Sequence, residues 1–230
     1  MSRGLNKRFP VPRAFWINRK GVEVILIAII DYGVGNLHSL AAGFRAVGAE
    51  CGITADKQVL SAAERVVLPG VGAFGDAMAA LRDTGLAQVV RDIAAAGTPL
   101  MGICLGMQLL FERSYEYGVH NGLGLIDGEI CSLAQDLPRH LKVPHIGWNA
   151  LRRCKADPLL AGFTDNSYVY YVHSYYLKGN PDCVAADSEY HVTVPGLVRR
   201  GQVCGTQFHP EKSGKTGLAM LAAFAKGEQV

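Results

Sequence analysis

Three short stretches of this 230-residue chain place together residue types able to do nucleophilic chemistry. The first is Gly102-Ile103-Cys104-Leu105-Gly106, of the form G-x-C-x-G. Glycine on either side lets the backbone turn sharply. A nucleophile on such a strand-to-helix turn is an elbow, here with sulfur in place of oxygen. The helix behind it would aim unpaired N–H groups at the sulfur and favour thiolate over thiol. Alone, the pattern also suits a buried cysteine that packs as a small hydrophobe. The second stretch is His209-Pro210-Glu211. Residues i and i+2 of an extended segment share a side, so the carboxylate can hold one imidazole tautomer and steady the imidazolium, as the third member of a triad does. The third is Pro69-Gly70-Val71-Gly72. A backbone N–H from this loop could join that of Leu105 as an oxyanion hole, although alone it reads as an ordinary glycine turn.

These groups work only if a scaffold brings them to one place. The run 24–31, VILIAIID, reads as a buried strand followed by the Gly33-Val34-Gly35 turn. Asn36 is placed to cap a helix that reaches Phe44 and Val47 and stops at Gly48. A second strand is expected at 49–54, and RVVLP at 65–69 gives a third, ending in the glycine loop. Helices are expected at about 75–82 and 85–96, then a strand at 98–103. Residues 104–116 show helical spacing of Leu105, Leu109 and Phe111-Glu112. Strand and helix in alternation imply a mostly parallel open sheet with helices on both faces. Both the elbow and the glycine loop would then lie at carboxyl ends of strands, where such sheets place ligands.

The second half changes character. The runs GLIDGEICSL, SYVYYVHSYYL, VAADSEYHVTV and GQVCGTQFH look like antiparallel additions to one edge or end of that sheet. An amphipathic helix at about 214–226 closes the chain, and residues 24–230 are expected to form one domain.

About half the residues are hydrophobic and 19% are charged, which suits a packed core and argues against overall disorder. All of Arg3, Lys7, Arg8, Arg13, Arg19 and Lys20 precede the first acidic residue, so the remaining chain is net −3 although the whole is +3. A mildly acidic body is a poor nucleic-acid binder. The six cysteines form no C-x-x-C pair and no zinc spacing, and a chain of this size needs no disulfide framework. The longest apolar run is Val24 to Ile30, far too short to span a bilayer. Residues 1–23 are expected to be a disordered extension, with a targeting segment as the other reading, although Pro10 and Pro12 would interrupt an amphipathic helix.

Together, GICLGMQLL (102–110) and QFHPEKSG (207–214) resemble the elbow and the His-Glu pair of the class I, or triad, glutamine amidotransferases. DYGVGNLHSL (31–40), LPGVGAFGDAM (68–78), PHIGWN (144–149) and YYVHSYY (170–176) narrow the resemblance to glutaminase subunits of imidazole glycerol phosphate synthase. It spans essentially residues 24–230. The resemblance implies a flavodoxin-like α/β fold. It also implies Cys104 as nucleophile, His209 as base and acid, and Glu211 as orienter. Gly70, Val71, Gly72 and Leu105 would form the oxyanion hole. Gln108, with backbone near His173, Ser174 and Tyr175, would hold glutamine. Trp148 and Lys212 would face a partner, although a buried indole and a free surface amine describe them equally well. No cofactor and no metal are implied. The implied partner is a cytoplasmic (β/α)8-barrel cyclase. It would use the ammonia to turn a phosphoribulosyl-aminoimidazole nucleotide, PRFAR, into imidazole glycerol phosphate and AICAR in histidine biosynthesis. A subunit of a related synthase acting on a nucleotide sugar, a cysteine peptidase or acyl hydrolase with the same elbow, and a non-catalytic binding module remain alternatives.

Overall fold

Apolar runs too short for helices become the inner strands of one large sheet. The computed structural model describes residues 27–164 and 167–227, with the backbone of residues 16–17 and 23–24. β1 (Ile27–Ile30) leads to α1 (Leu37–Ala46), β2 (Cys51–Thr54), α2 (Lys57–Ala62), β3 (Arg65–Gly70), α3 (Phe74–Asp83), α4 (Leu86–Ala95) and β4 (Leu100–Cys104). A single turn, α5 (Leu105–Gln108), follows the elbow. Then come β5 (Arg113–Ser114), β6 (His120–Asn121), β7 (Glu129–Ser132), β8 (His145–Arg153), β9 (Ser167–His173), β10 (Tyr175–Lys178), β11 (Val184–Tyr190), β12 (Val192–Arg200) and β13 (Val203–Thr206), before α6 (Gly214–Lys226).

Nine strands form the main sheet in the order β9-β8-β11-β12-β13-β4-β3-β1-β2. The last five are parallel, and β9 to β12 join antiparallel at the β13 side. A second sheet of order β10-β7-β5-β6 is hydrogen-bonded separately and packs against the first through Ile130 and Leu177. Side chains alternate across the parallel strands. Ile27, Ile29, Val67, Met101 and Ile103 pack with Phe44 of α1 and Leu221 and Phe224 of α6. Ala28, Ile30, Val66, Leu68 and Leu100 pack with α2, α3 and α4 through Leu60, Phe74 and Val90. The sheet is therefore covered on both faces. Among the described residues no helix is long and apolar enough to cross a membrane.

The parallel half follows the apolar pattern, with boundaries shifted by a few residues. Two expectations change. Residues 104–116 are not one helix. Leu109, Leu110 and Phe111 are all wholly buried, which no one-sided helix allows. Tight bonds from Leu110 N to Met107 O and Phe111 N to Gln108 O end α5, and Arg113–Ser114 pairs with β6 and β7 instead. GQVCGTQFH is only in part an antiparallel addition to one edge or end: its strand, β13, pairs antiparallel with β12 but runs parallel to β4, buried inside the sheet. The sequence also hides β8 and α2. β8 buries its residues irregularly and so lacks a period-2 signal, and α2 is only six residues long.

The expected extension, residues 1–23, lies mostly outside the described residues. Within it Trp16–Ile17 pairs antiparallel with Glu23–Val24, a backbone pairing that the expectation of disorder did not include.

Phe44 is wholly buried, 6.4 Å from Phe224 between ring centres, and ties α1 to α6 beneath the sheet. Phe44→Ala is expected to cost about 3–5 kcal/mol of folding stability, read as a lowered urea midpoint with an unchanged slope.

Candidate active site

The chemistry converges where three parallel strands end. Gly70 sits opposite Cys104 in the β3–β4 register, and Thr206 sits opposite Ile103 on the other side. Cys104 turns the chain at φ 55°, a conformation rare outside glycine. The turn leaves no room beside it. A Cβ on Gly102 would come within 2.7 Å of the Met107 Cα, and one on Gly106 would run into the Leu68 carbonyl. The two glycines of the G-x-C-x-G pattern are thus fixed by close approach of backbone to backbone.

His209 arrives from β13. Its N–H donates to the Tyr170 carbonyl at 2.9 Å, and the Ser213 hydroxyl donates to its carbonyl at 2.6 Å while accepting from Tyr170 N at 3.0 Å. His209 itself is extended, but Pro210–Lys212 is a 3-10 turn. The expected i, i+2 meeting is therefore made by a turn rather than by a continuous strand. His209 Nδ1 lies 2.9 Å from Glu211 Oε1, with both side chains almost fully buried. The carboxylate accepts, so Nδ1 carries a hydrogen and Nε2 is left for the hydrogen bond with the Cys104 thiol. Burial alone would push the His209 pKa down. Hydrogen bonds with Cys104 and Glu211, and their charges, outweigh it and raise the pKa to about 9. The imidazole beside the sulfur is therefore cationic at neutral pH. Burial pushes two other thiols up, Cys204 to about 12 and Cys183 to about 11.

A cavity of about 350 Å³ opens over the sulfur. Cys104 and His209 border it, Val71, Gly72 and Leu105 line one part, and Gln108 with His173, Ser174 and Tyr175 lines another. Gly70 is not on this wall; it ends the β3 ladder and borders a smaller gap beside His209 and Glu211. Glu211 Oε2 is buried without a hydrogen-bond partner among the described residues. Both hydrogens of the Gln108 amide are spent within the protein, on the Tyr175 carbonyl at 2.9 Å and on Gln207 Oε1 at 3.0 Å. Trp148 and Lys212 lie outside the cavity. Trp148 is 56% exposed beside exposed Ile146 and Tyr168, and Lys212 Nζ sits 5.9 Å from the Tyr170 ring centre. A larger hollow of about 600 Å³, between Arg65, Pro99 and Gln202 at the amino ends of the strands, contains no nucleophile.

Three residues at or behind this cavity escaped the sequence. Gln207 is wholly buried and points its amide nitrogen at the Cys104 sulfur from 3.9 Å. Its place two residues before His209 was the available signal. Glu116 is the carboxylate on the cavity wall, accepting from Phe74 N at 2.6 Å. Its neighbours at 104–116 show helical spacing, but Glu116 sits in a turn. His145 lies behind His173, its Nδ1 2.9 Å from His173 Nε2. Burial lowers His145 to about 4, and burial with the neighbouring His145 and His209 lowers His173 to about 3.

The elbow and the buried His-Glu pair meet at the carboxyl ends of the parallel strands of an α/β sheet covered on both faces, and comparison with known proteins gives the family. The chain belongs to the family of class-I glutamine amidotransferases, whose model matches residues 28–226. Among its relatives is the imidazole glycerol phosphate synthase subunit HisH of Bacillus cereus (strain G9842). It is 48% identical over 199 residues, which cover 86% of this chain and 93% of the relative. The protein of the same description from Geobacillus kaustophilus (strain HTA426) is 49% identical over 199 residues, covering 85% and 94%. The fold is shared with the solved structure of PurLQS from Thermotoga maritima, at a TM-score of 0.68 and 20% identity, covering 87% of this chain and 97% of that one.

The histidines give stability a pH profile with two limbs. Folded His145 and His173 resist protonation, while unfolded histidines take a proton near 6.5. Their contribution is whole above pH 6.5 and is lost as pH falls through about 4 and then 3. His209 has the opposite sign: its contribution is whole below 6.5 and is lost as pH rises through about 9. Melting temperatures measured across this range should fall on both sides, and His145→Gln should flatten the acid limb alone.

Proposed function

We propose that this chain hydrolyses L-glutamine through Cys104, His209 and Glu211, and that it does so as the glutaminase subunit of imidazole glycerol phosphate synthase. The observation that carries the proposal is the buried His209–Glu211 contact of 2.9 Å with its second imidazole nitrogen turned to an elbow cysteine. Relatives about 48% identical over most of the chain carry the synthase name. A cavity of about 350 Å³ above a cysteine only 7% exposed suits one amino acid better than an extended peptide.

The Cys104 thiolate attacks the side-chain carboxamide carbon of glutamine. Backbone N–H groups of Leu105 and of the 70–72 loop stabilise the tetrahedral oxyanion. His209, protonated up to about pH 9, gives its proton to the departing nitrogen, and ammonia leaves. A thioester with Cys104 remains. His209, now neutral, takes a proton from water, which attacks the thioester; the thiolate departs and glutamate is released. Glu211 holds the Nδ1–H tautomer throughout. Glu116 is placed to receive the α-ammonium group of the substrate. Gln108, its amide hydrogens already committed, meets the ligand through its carbonyl oxygen.

Ammonia set free in water would be protonated and lost as a nucleophile. It is therefore handed to a (β/α)8-barrel cyclase, which converts PRFAR into imidazole glycerol phosphate and AICAR. Ile146, Trp148 and Tyr168, with Lys212 beside them, give the exposed surface for that barrel. The location that goes with this role is the cytoplasm. The 70–72 loop is the element through which the barrel regulates hydrolysis. The Pro69 carbonyl is tied by the Tyr32 hydroxyl at 2.7 Å, and Gly70 is locked against the Gly106 backbone. Val71 is exposed, and Gly72, at φ 90°, has open space around it. The peptide free to turn is therefore Val71–Gly72.

Glutamate release should rise sharply when the barrel protein and its nucleotide are added together. No rise with either would sink the assignment. In the reconstituted synthase, Cys104→Ala should abolish glutamine-dependent synthesis and spare synthesis from ammonium salts, and Glu211→Gln should lower kcat roughly 10²- to 10⁴-fold. Gly72→Val should alter the stimulation ratio more than unstimulated hydrolysis; an unchanged ratio removes the loop from the regulatory account.

A further inference from the structure

Behind the cavity, two neutral histidines and an asparagine form a hydrogen-bond chain with one possible polarity. His145 and His173 face each other directly across the β8–β9 ladder. His173 Nδ1 lies 2.9 Å from the Tyr175 carbonyl, which can only accept, so Nδ1 carries the hydrogen. The ring is neutral, so His173 Nε2 accepts. His145 Nδ1, 2.9 Å away, must then donate to it. That leaves His145 Nε2 as acceptor, facing Asn149 Nδ2 at 3.3 Å. The same Asn149 nitrogen donates to the Glu189 carbonyl at 2.9 Å. Every donor meets an acceptor, and reversing either ring would set two acceptors or two donors against each other.

The chain ends on the part of the cavity wall where the backbone passes from one sheet to the other. Residues 173–175 leave β9 of the main sheet and enter β10 of the second one. The Tyr175 carbonyl is gripped from two sides, by His173 and by the Gln108 amide at 2.9 Å. The Ser174 carbonyl accepts from Leu133 N at 2.9 Å. His145 is itself held in a stack, with ring centres 4.7 Å from Tyr171 and 4.1 Å from Tyr190.

We propose that His145, backed by Asn149, is a positioning residue for the substrate pocket: through His173 it fixes the Tyr175 carbonyl and so sets the His173–Tyr175 bend in its ligand-binding shape. It touches neither substrate nor sulfur. The proposal rests on the glutaminase assignment for its kinetic consequence but not for its hydrogen-bond geometry.

Two substitutions separate the hydrogen bond from the packing. His145→Phe keeps the aromatic stack and removes both polar links. His145→Asn gives up the stack but keeps an N–H donor close to the Nδ1 position. In the reconstituted synthase, His145→Phe should raise the KM for glutamine roughly five- to tenfold with kcat changed less than about twofold, and His145→Asn should recover part of that loss. A normal KM in the Phe variant, or an Asn variant no better than it, overturns the proposal. The wild-type chain provides a second measurement that needs no variant to fold. With ¹⁵N-labelled histidine, both His145 and His173 should show the Nδ1–H tautomer; an Nε2–H tautomer at either ring overturns the proposal. Wild-type synthase that releases no glutamate at all would count against the glutaminase assignment, and the tautomers alone would then decide the inference.

Discussion

A cysteine held at positive φ at the carboxyl end of a fully buried strand is the constraint around which this molecule is arranged. Such a backbone costs on the order of 1–3 kcal/mol and survives only where its surroundings over-determine it. Here the surroundings are two neighbouring parallel strands in register and a helical turn pressed onto the Leu68–Gly70 backbone. The close approach excludes side chains at Gly102 and Gly106. It also brings the carboxyl ends of β3 and β13 to the two sides of the sulfur. The glycine loop and the His-Pro-Glu turn therefore share a site because they follow the strands that pin the elbow.

Electrostatics then distinguishes three buried histidines in one region. Burial acts on all of them in the same direction, against the charged form. His145 and His173 have no acid to oppose it and stay neutral. His209 has Glu211 and Cys104, and these reverse the outcome. The same low dielectric that keeps two rings uncharged strengthens the bonds that hold a proton on the third. The proposed transfer of a proton from His209 to a leaving group would benefit from both. The donor stays charged at neutral pH, and its neighbours, being neutral, neither repel it nor compete for Glu211.

The parallel half of the fold could be read in the sequence because each inner strand is a short apolar run with a glycine turn behind it. Residues 104–116 could not. Apolar residues at helical spacing signal a helix only when the residues between them face water, and Leu109, Leu110 and Phe111 are all wholly buried. Glu116 was misplaced with them. β13 reads as an addition to one edge or end because composition does not reveal which neighbour a strand will choose. The catalytic candidates were readable because each lies in a compact motif. The contact of His145 with His173 was not, since it exists only through the β8–β9 register across 28 residues.

The same pair of strands carries both the exposed apolar surface and the wall of the cavity. β9 is an edge strand of the main sheet, and Tyr168 near its start and Ile146 and Trp148 on β8 stand exposed. Edges with apolar side chains are usually covered, because they otherwise invite association. A few residues further along, β9 presents Val172, whose carbonyl faces the Cys104 sulfur at 3.8 Å, and His173. The ladder between β8 and β9 runs unbroken from Ser167 to His173, which links the exposed end of the pair to the cavity end. A partner seated on Trp148 and Tyr168 would therefore bear on the pocket wall through the ladder itself. In the proposed assembly that wall shares the cavity with Val71 and Gly72, so a barrel seated on this edge would also bear on the loop proposed to regulate hydrolysis.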